Sequence, residues 1–370
     1  MEEIKLSGPD ITQKEKDLIG QVLDTPDLSM GPMLEKFEES MARFIGTNYA
    51  AGVSSGTAGL HLCMIAAGIG EGDEVITTPF SFIASANCIL YERAKPVFVD
   101  IEQGTLNIDV SGIEEKITPQ TKAILPVHAF GQPCRMDELL VVAQKHKLLV
   151  IEDACEAIGA EFKGKKAGSF GDAAVFAFYP NKQMTTGEGG IIVTSNTEWR
   201  ELFKSLRNQG RGEGGGWLDH IRLGYNYRLD EMSAALGVAQ LSRIDELLEK
   251  REKVASWYNE QLNRIEGIKI PYIDPMVTKM SWFVYVIQLM NGNRDKVMNN
   301  LQKMGIPSRP YFIPIHLQPV YVERFGYKMG DFPVTEEVGR RTLALPFYGN
   351  LSKDKVTYIC ESLQKAIQGK

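Results

Sequence analysis

Val175–Gly190, VFAFYPNKQMTTGEGG, read together with Ile151–Ala157, IEDACEA, decides the fold of this 370-residue chain. Each stretch opens on an apolar run. The run from Ile151 closes on a carboxylate, Asp153, and the run from Val175 leads into a polar, glycine-containing turn that carries one lysine, Lys182. The two positions are separated by about one strand–loop–strand excursion, which can bring both to one edge of a sheet. A lysine there can condense with an aldehyde, and a buried carboxylate near it can hold a protonated ring nitrogen. Taken alone, the pair reads better as a surface lysine and an ordinary strand end.

The flanking sequence carries the same rhythm outward. DEVITT (73–78), PVFVD (96–100), KAILPVH (122–128), KLLVIED (147–153), AAVFAF (173–178) and GIIVTS (190–195) are the expected strands. Most are continuous apolar runs, as in a sheet covered on both faces. AGLHLCMIAAG (58–68) and MDELLVVAQKH (136–146) carry helical patterns, with Gly68 as a C-terminal stop. This alternation predicts an α/β fold with a doubly wound, mostly parallel sheet flanked by helices. One long amphipathic helix is expected from Asp230 to about Leu262, with EKREK (249–253) on its wet face. It carries the chain from a large domain, residues 1–250, into a smaller C-terminal α+β domain, residues 251–370. That smaller domain holds a strand at WFVYVIQL (282–289) and a proline- and aromatic-rich loop, YFIPIHLQPVY (311–321).

Composition narrows the function classes. A hydrophobic fraction of 44% with 24% charged residues is ordinary for a globular protein. The net charge of −6 argues against nonspecific nucleic-acid binding. No apolar run reaches the roughly 18 residues of a membrane span. The N-terminal MEEIKLSGPD has no signal-like apolar region, so the cytoplasm is the expected compartment. The five cysteines are scattered without a C-x-x-C pair and the five histidines lack ligand spacing. Neither a disulfide framework nor a metal site is expected.

Three further segments bear on Lys182 and Asp153. Ser54–Leu60, SSGTAGL, precedes a helix; small residues there let backbone N–H groups reach a phosphate, with Ser55 and Thr57 as hydroxyl donors and Gly56 permitting close approach. An ordinary Ser/Thr cap gives the same pattern. Phe80–Asn87, FSFIASAN, follows a strand, and Phe82 could cover one face of a planar ring, though strand-end phenylalanines are more often core. Cys155 would point to the same side as Asp153 and could pack on the other face. Phosphate cup, ring cover, ring-nitrogen partner and Schiff-base lysine thus arrive in order, the set that pyridoxal 5′-phosphate requires.

With these motifs the chain resembles the sugar aminotransferases of the DegT family, within the fold-type-I pyridoxal-phosphate enzymes. The resemblance runs from LSMGPMLEKFEES (28–40) to LALPFYGNLS (343–352). It is most specific at SSGTAGL, EDACEAIGA (152–160), NKQMTTGEGG (181–190) and GYNYRLDEMSAA (224–235). It implies that Lys182 forms the Schiff base with the cofactor and that Asp153 pairs with the ring nitrogen. It also implies that Ser55, Gly56 and Thr57 bind phosphate, that Phe82 stacks, and that Glu156 lies near cofactor and substrate. Asn226 of GYNYR would reach the cofactor of a neighbouring subunit, making the active unit a homodimer with shared sites. Tyr311 and His316 would lie near the sugar. One departure stands out: the family often reads F-S-F before the lysine, whereas this chain has Phe176-Ala177-Phe178. An alanine cannot donate to phosphate, and a lost hydrogen bond to a charged group costs about 1.5–3 kcal/mol unless replaced.

The implied activity is a transamination in two halves. An amino donor, expected to be L-glutamate, leaves the cofactor as pyridoxamine phosphate, and a nucleotide-linked keto-sugar then takes up the amino group. Lys182 would shuttle protons. Arg228 and the NQGRGEGGG loop (208–216) are the places to look for partners of the sugar's diphosphate. Two other readings stay open. A sugar dehydratase of the same fold typically has histidine at the lysine position. A non-catalytic, cofactor-binding regulator would lose the lysine or the ring carboxylate, or add a DNA-binding module.

Overall fold

The computed structural model describes residues 3–212 and 219–368. Its strands run β1 (Tyr49–Val53), β2 (Glu74–Thr77), β3 (Lys95–Phe98), β4 (Thr121–Ile124) and β5 (Leu149–Asp153). A short hairpin, β6 (Glu161–Phe162) and β7 (Lys165–Lys166), precedes β8 (Ala173–Ala177) and β9 (Gly190–Thr194). Seven of these form one sheet in the order β1–β9–β8–β5–β4–β2–β3. Pairing is parallel from β8 to β3, and β9 runs antiparallel to both its neighbours. Each run expected to be a strand holds one. The additional strand β1, YAAGV, is made largely of small residues and carries little β signal of its own.

The continuous apolar runs follow from two covered faces. The helices around the sheet are α1 (Gln13–Leu23), α2 (Pro32–Ile45), α3 (Gly56–Ala66), α4 (Ala84–Tyr91), α5 (Met136–His146) and α6 (Thr197–Arg207). Along β8, Ala173 and Val175 pack with α3 and α6 residues such as Leu62 and Phe203. Ala174 and Phe176 turn the other way, toward Phe37 and Met41 of α2. Gly68, at φ +67°, ends the first of the expected helices.

The helix expected from Asp230 to Leu262 is broken into α7 (Glu231–Leu241) and α8 (Ile244–Leu262). The joint holds Arg243, whose guanidinium reaches Asp10, Glu15 and Glu246. Gln240 donates to the Asp10 carbonyl and to Glu15 from the same place. Pinning the N-terminal segment thus takes the residues that would have continued the helix.

Beyond α8, β10 (Ile268–Lys269), β12 (Tyr285–Leu289) and β13 (Thr342–Leu345) form an antiparallel sheet, while β11 (Val277–Lys279) pairs with β6. The helices α9 (Arg294–Lys303), α10 (Pro319–Phe325), α11 (Pro333–Arg341) and α12 (Lys353–Gln368) complete this region. Its core gathers Tyr258 and Leu262 of α8, Leu301 of α9, Ile359 and Leu363 of α12, and Ile287 of β12. Ile4 joins that core, and Leu6 accepts from the Phe347 amide, so the first residues of the chain also touch the C-terminal unit. Among the described residues no helix is long and apolar enough to cross a membrane.

Glu15, with no exposed surface, accepts from Arg243 at 2.9 Å, Gln240 at 2.8 Å and the Thr12 amide at 2.7 Å. Burial pushes its carboxyl up, but the bonds from Thr12, Arg243 and Gln240 win and hold it at about 2. Such a group stabilises fully above its unfolded value, and the contribution fades as pH falls through the folded one. Glu15→Gln, which removes the buried anion from Arg243 and leaves it Asp10 and Glu246, is therefore expected to cost about 3 kcal/mol at pH 7. Urea unfolding should show the gap between variant and wild type narrowing from pH 7 to pH 3.

Candidate active site

A cavity of about 350 Å³ opens where β1, β2, β5 and β8 deliver their carboxyl ends, the usual ligand crevice of an open α/β sheet. Asp153 closes β5 and is 5% exposed. Its Oδ2 accepts from Ser85 Oγ at 2.7 Å and its Oδ1 from the Cys155 amide at 3.2 Å. The preceding residue, Glu152, faces the opposite side of the strand and is fully engaged. It accepts from the amides of Gly168, Phe170 and Gly171 and from His128 Nε2. Because His128 Nδ1 accepts from the Cys134 amide, the imidazole proton sits on Nε2. Burial raises the Glu152 carboxyl, and His128 together with the Gly171 and Gly168 amides more than reverses that.

Lys182 lies in the turn after β8, its amide donating to Tyr179 O at 2.9 Å. Its Nζ sits 3.9 Å from the centroid of the Phe283 ring and 3.5 Å from Glu156 Oε1. The other Glu156 oxygen accepts from the Phe130 amide at 2.9 Å. Burial raises the Glu156 carboxyl; Lys182 and the Phe130 amide offset only part of that. Cys155 lines the same cavity, and burial keeps its thiol protonated by raising it well above the usual range.

The opposite wall is the N-terminus of α3. Ser55 is extended and accepts from the Ala58 amide at 3.1 Å, so the helix starts at Gly56 with its first amides free of intrahelical acceptors. Glycine is required here by space. A Cβ on Gly56 would lie 2.7 Å from Ala177 Cβ and 2.9 Å from Cys155 Sγ. A Cβ on Gly190 would come within 2.5 Å of the Ser55 carbonyl carbon. Thr57 completes this wall; Phe82, 63% exposed, and Tyr311 stand at the mouth.

The cavity therefore collects Ser55, Gly56, Thr57, Phe82, Asp153, Cys155, Glu156, Lys182 and Tyr311, all singled out from sequence. Three other candidates lie elsewhere. Asn226 is exposed and bridges to Asn208, and Arg228 donates to Asn208 Oδ1 at 3.1 Å; neither lines the cavity. His316 is completely buried, 3.1 Å from Glu336, with its ring against Phe332. The turn Ile315–Leu317 aims it inward, where Glu336 is fixed by the Gly330 and Phe332 amides, so it does not face the cavity. Of the NQGRGEGGG loop, residues 213–216 lie outside the described residues. Ser85, Tyr179, Asn181 and Phe283 also line the cavity and are not among the residues expected from sequence. Ser85 had a signal, since it stands three residues after Phe82 within FSFIASAN.

The donor set suits a phosphorylated pyridine aldehyde. It offers an amine for the aldehyde, a buried carboxylate for a ring N–H, and a helix end kept open by glycine for phosphate. Asn181 Oδ1, buried in the cavity lining, has no hydrogen-bond partner among the described residues.

Known proteins resemble this chain over nearly its whole length. The model of the DegT/DnrJ/EryC1/StrS aminotransferase family matches residues 9–364. A GDP-perosamine synthase of Caulobacter vibrioides is 39% identical over 369 residues, covering 98% of each chain. The structure of S. venezuelae DesV in complex with a ketimine intermediate superposes with a TM-score of 0.90 at 33% identity, covering 95% of this chain and 94% of that one. Helicobacter pylori PseC, an aminotransferase involved in the biosynthesis of pseudoaminic acid, gives 0.93 at 29% identity over 100% of both. The fold is that of the fold-type-I aminotransferases.

Gly56→Ala should force Ala177, Cys155 or the helix start to move. The expected cost is about 1–3 kcal/mol, read as a lower thermal midpoint, with Gly68→Ala, whose added Cβ meets nothing within 4 Å, as a comparison for strain at positive φ alone.

Proposed function

Because the chain belongs to the DegT/DnrJ/EryC1/StrS aminotransferase family, we propose that its cavity takes pyridoxal 5′-phosphate and that it moves an amino group from L-glutamate to a nucleotide-linked keto-sugar. The observation that carries this reading is the convergence of Lys182, Asp153 and the glycine-opened start of α3 on one cavity. When bound, the cofactor supplies an aldehyde and an electron-withdrawing ring that stabilises charge at the substrate carbon.

The residues of this chain do the rest. Lys182 Nζ would hold the aldehyde and, as a free amine, would move a proton at the substrate carbon. Asp153, oriented by Ser85 and the Cys155 amide, keeps the ring nitrogen protonated. The amides of Gly56 and Thr57, with the hydroxyls of Ser55 and Thr57, hold the phosphate against the positive end of the helix. Ser55 Oγ accepts from Ala58, which leaves its own proton to donate and partly makes up for the hydroxyl missing at Ala177. Phe82 covers the ring, and Tyr311 meets the sugar. Glu156, next to Lys182, offers a carboxyl that burial favours in its protonated form.

The nucleotide-linked substrate is supported by the GDP-perosamine synthase relative, and a keto group is what an amine transfer to a sugar consumes. Asn226 lies outside the cavity of its own chain, which supports its reaching the cofactor of a second subunit in a homodimer.

Two experiments test this reading. The cofactor-loaded protein should show a yellow absorption band that L-glutamate bleaches and a suitable keto-sugar nucleotide restores, with no such band in Lys182→Ala. An unbleached band would reject glutamate as the donor. Mixing inactive Lys182→Ala with inactive Asn226→Ala chains should restore activity, because mixed dimers keep one intact site. No recovery from mixed dimers would sink the shared-site arrangement.

A further inference from the structure

Arg251 lies within the charge run EKREK, read from sequence as a wet helix face, yet it is only 3% exposed. It enters the protein from α8, the helix that links the two cores. Its hydrogen bonds go to three main-chain carbonyls. Nη2 donates to Lys182 O at 2.9 Å, and Nη1 donates to Phe283 O at 3.1 Å and Trp282 O at 3.3 Å. The guanidinium also stands 5.6 Å from the Phe347 ring centroid. Burial pushes it down to about 10. Taking a guanidinium out of water is strongly unfavourable, so an arginine here calls for a reason beyond packing.

The reason lies in what the three carbonyls hold. Lys182 and Phe283 are the two partners of the 3.9 Å contact that places the reactive amine over an aromatic face. One planar fork therefore grips the main chain of both. A lysine at 251 would be a point donor on a flexible stem and could not span both segments in fixed geometry. The neighbouring Gln183 ties the same segments from the other side, donating to Glu156 O at 2.5 Å and to Ser281 Oγ at 2.9 Å. Ser281 in turn donates to Ile158 O at 2.6 Å.

We propose that Arg251 is a positioning residue for Lys182. It locks the lysine turn to the strand approach Trp282–Phe283, so that Nζ is held between the Phe283 ring and Glu156 in line for an aldehyde. This rests on Lys182 being the residue that reacts. In the capture step the neutral amine attacks the aldehyde carbon, and the aldehyde oxygen leaves as water with both amine protons. Arg251 touches neither group and acts on the aim of the amine.

The test compares Arg251→Lys with wild type, both freed of cofactor. Two quantities are read: the rate at which added pyridoxal phosphate becomes borohydride-fixed on Lys182, and the affinity for 4-deoxypyridoxine phosphate, which has no aldehyde. The expected result is capture slowed about tenfold or more with analogue affinity within about threefold of wild type. Unslowed capture, or capture and analogue affinity falling together, would overturn the positioning role. Should Arg251→Lys not fold, Arg251→Gln, which is neutral and too short to reach all three carbonyls, takes its place and is read the same way. Slowed capture with intact analogue affinity then supports the inference, and unchanged capture rejects it. A wild-type protein that fixes no cofactor on Lys182 would instead reject the cofactor reading itself.

Discussion

A carboxylate held out of water at the end of a central strand is the constraint on which this site depends. Burying an ionised carboxyl without partners costs several kcal/mol, so each oxygen must find donors. Glu152 and Asp153 are adjacent on β5, face opposite ways, and solve this differently. Glu152 meets four donors and becomes part of the frame, tying the strand to the Gly168–Gly171 turn and to His128. Asp153 meets one hydroxyl and one amide, and the rest of its capacity looks into the cavity. The first arrangement fixes the strand; the second leaves a carboxylate ready for a cationic partner.

Around that carboxylate the protein is built from close backbone approaches. The start of α3 lies so near Ala177, Cys155 and Gly190 that a single Cβ at Gly56 or Gly190 would collide. Strand ends from distant parts of the sequence thus meet at one opening. The C-terminal unit closes it from the side: Phe312 stacks on Phe130 at 5.2 Å and meets Phe80 edge-on at 5.6 Å, which brings Tyr311 to the mouth. Arg251 and Gln183 then bind the lysine turn to the chain entering β12. The aim of the amine is set by contacts from both cores.

Much of this was legible in the chain itself, for identifiable reasons. The strands beside Asp153 and Lys182 read clearly because both faces of the sheet are covered, which makes their sequences continuously apolar. The site residues that occupy strand ends and the helix start read clearly too, since local chemistry marks them. Strand β1 did not, because its small residues gain their place from β9 rather than from intrinsic preference. The break between α7 and α8 carries no glycine or proline; it follows from Arg243 reaching Asp10 and Glu15, more than two hundred residues earlier. Arg251 looked wet within EKREK because nothing local reveals that carbonyls from positions 182, 282 and 283 surround it. His316 looked available for a sugar in its aromatic loop, and only the fold shows Glu336 beside it. What remained hidden was in each case a long-range polar contact.

Lys182, rather than another of the chain's lysines, is the residue proposed to bond the cofactor. The most direct test of that assignment is borohydride reduction of the pyridoxal-phosphate-loaded protein followed by peptide mass spectrometry. A single pyridoxyl modification is expected in the peptide spanning NKQMTTGEGG, at Lys182, in stoichiometric yield. Modification spread over surface lysines, or none at Lys182, would contradict it.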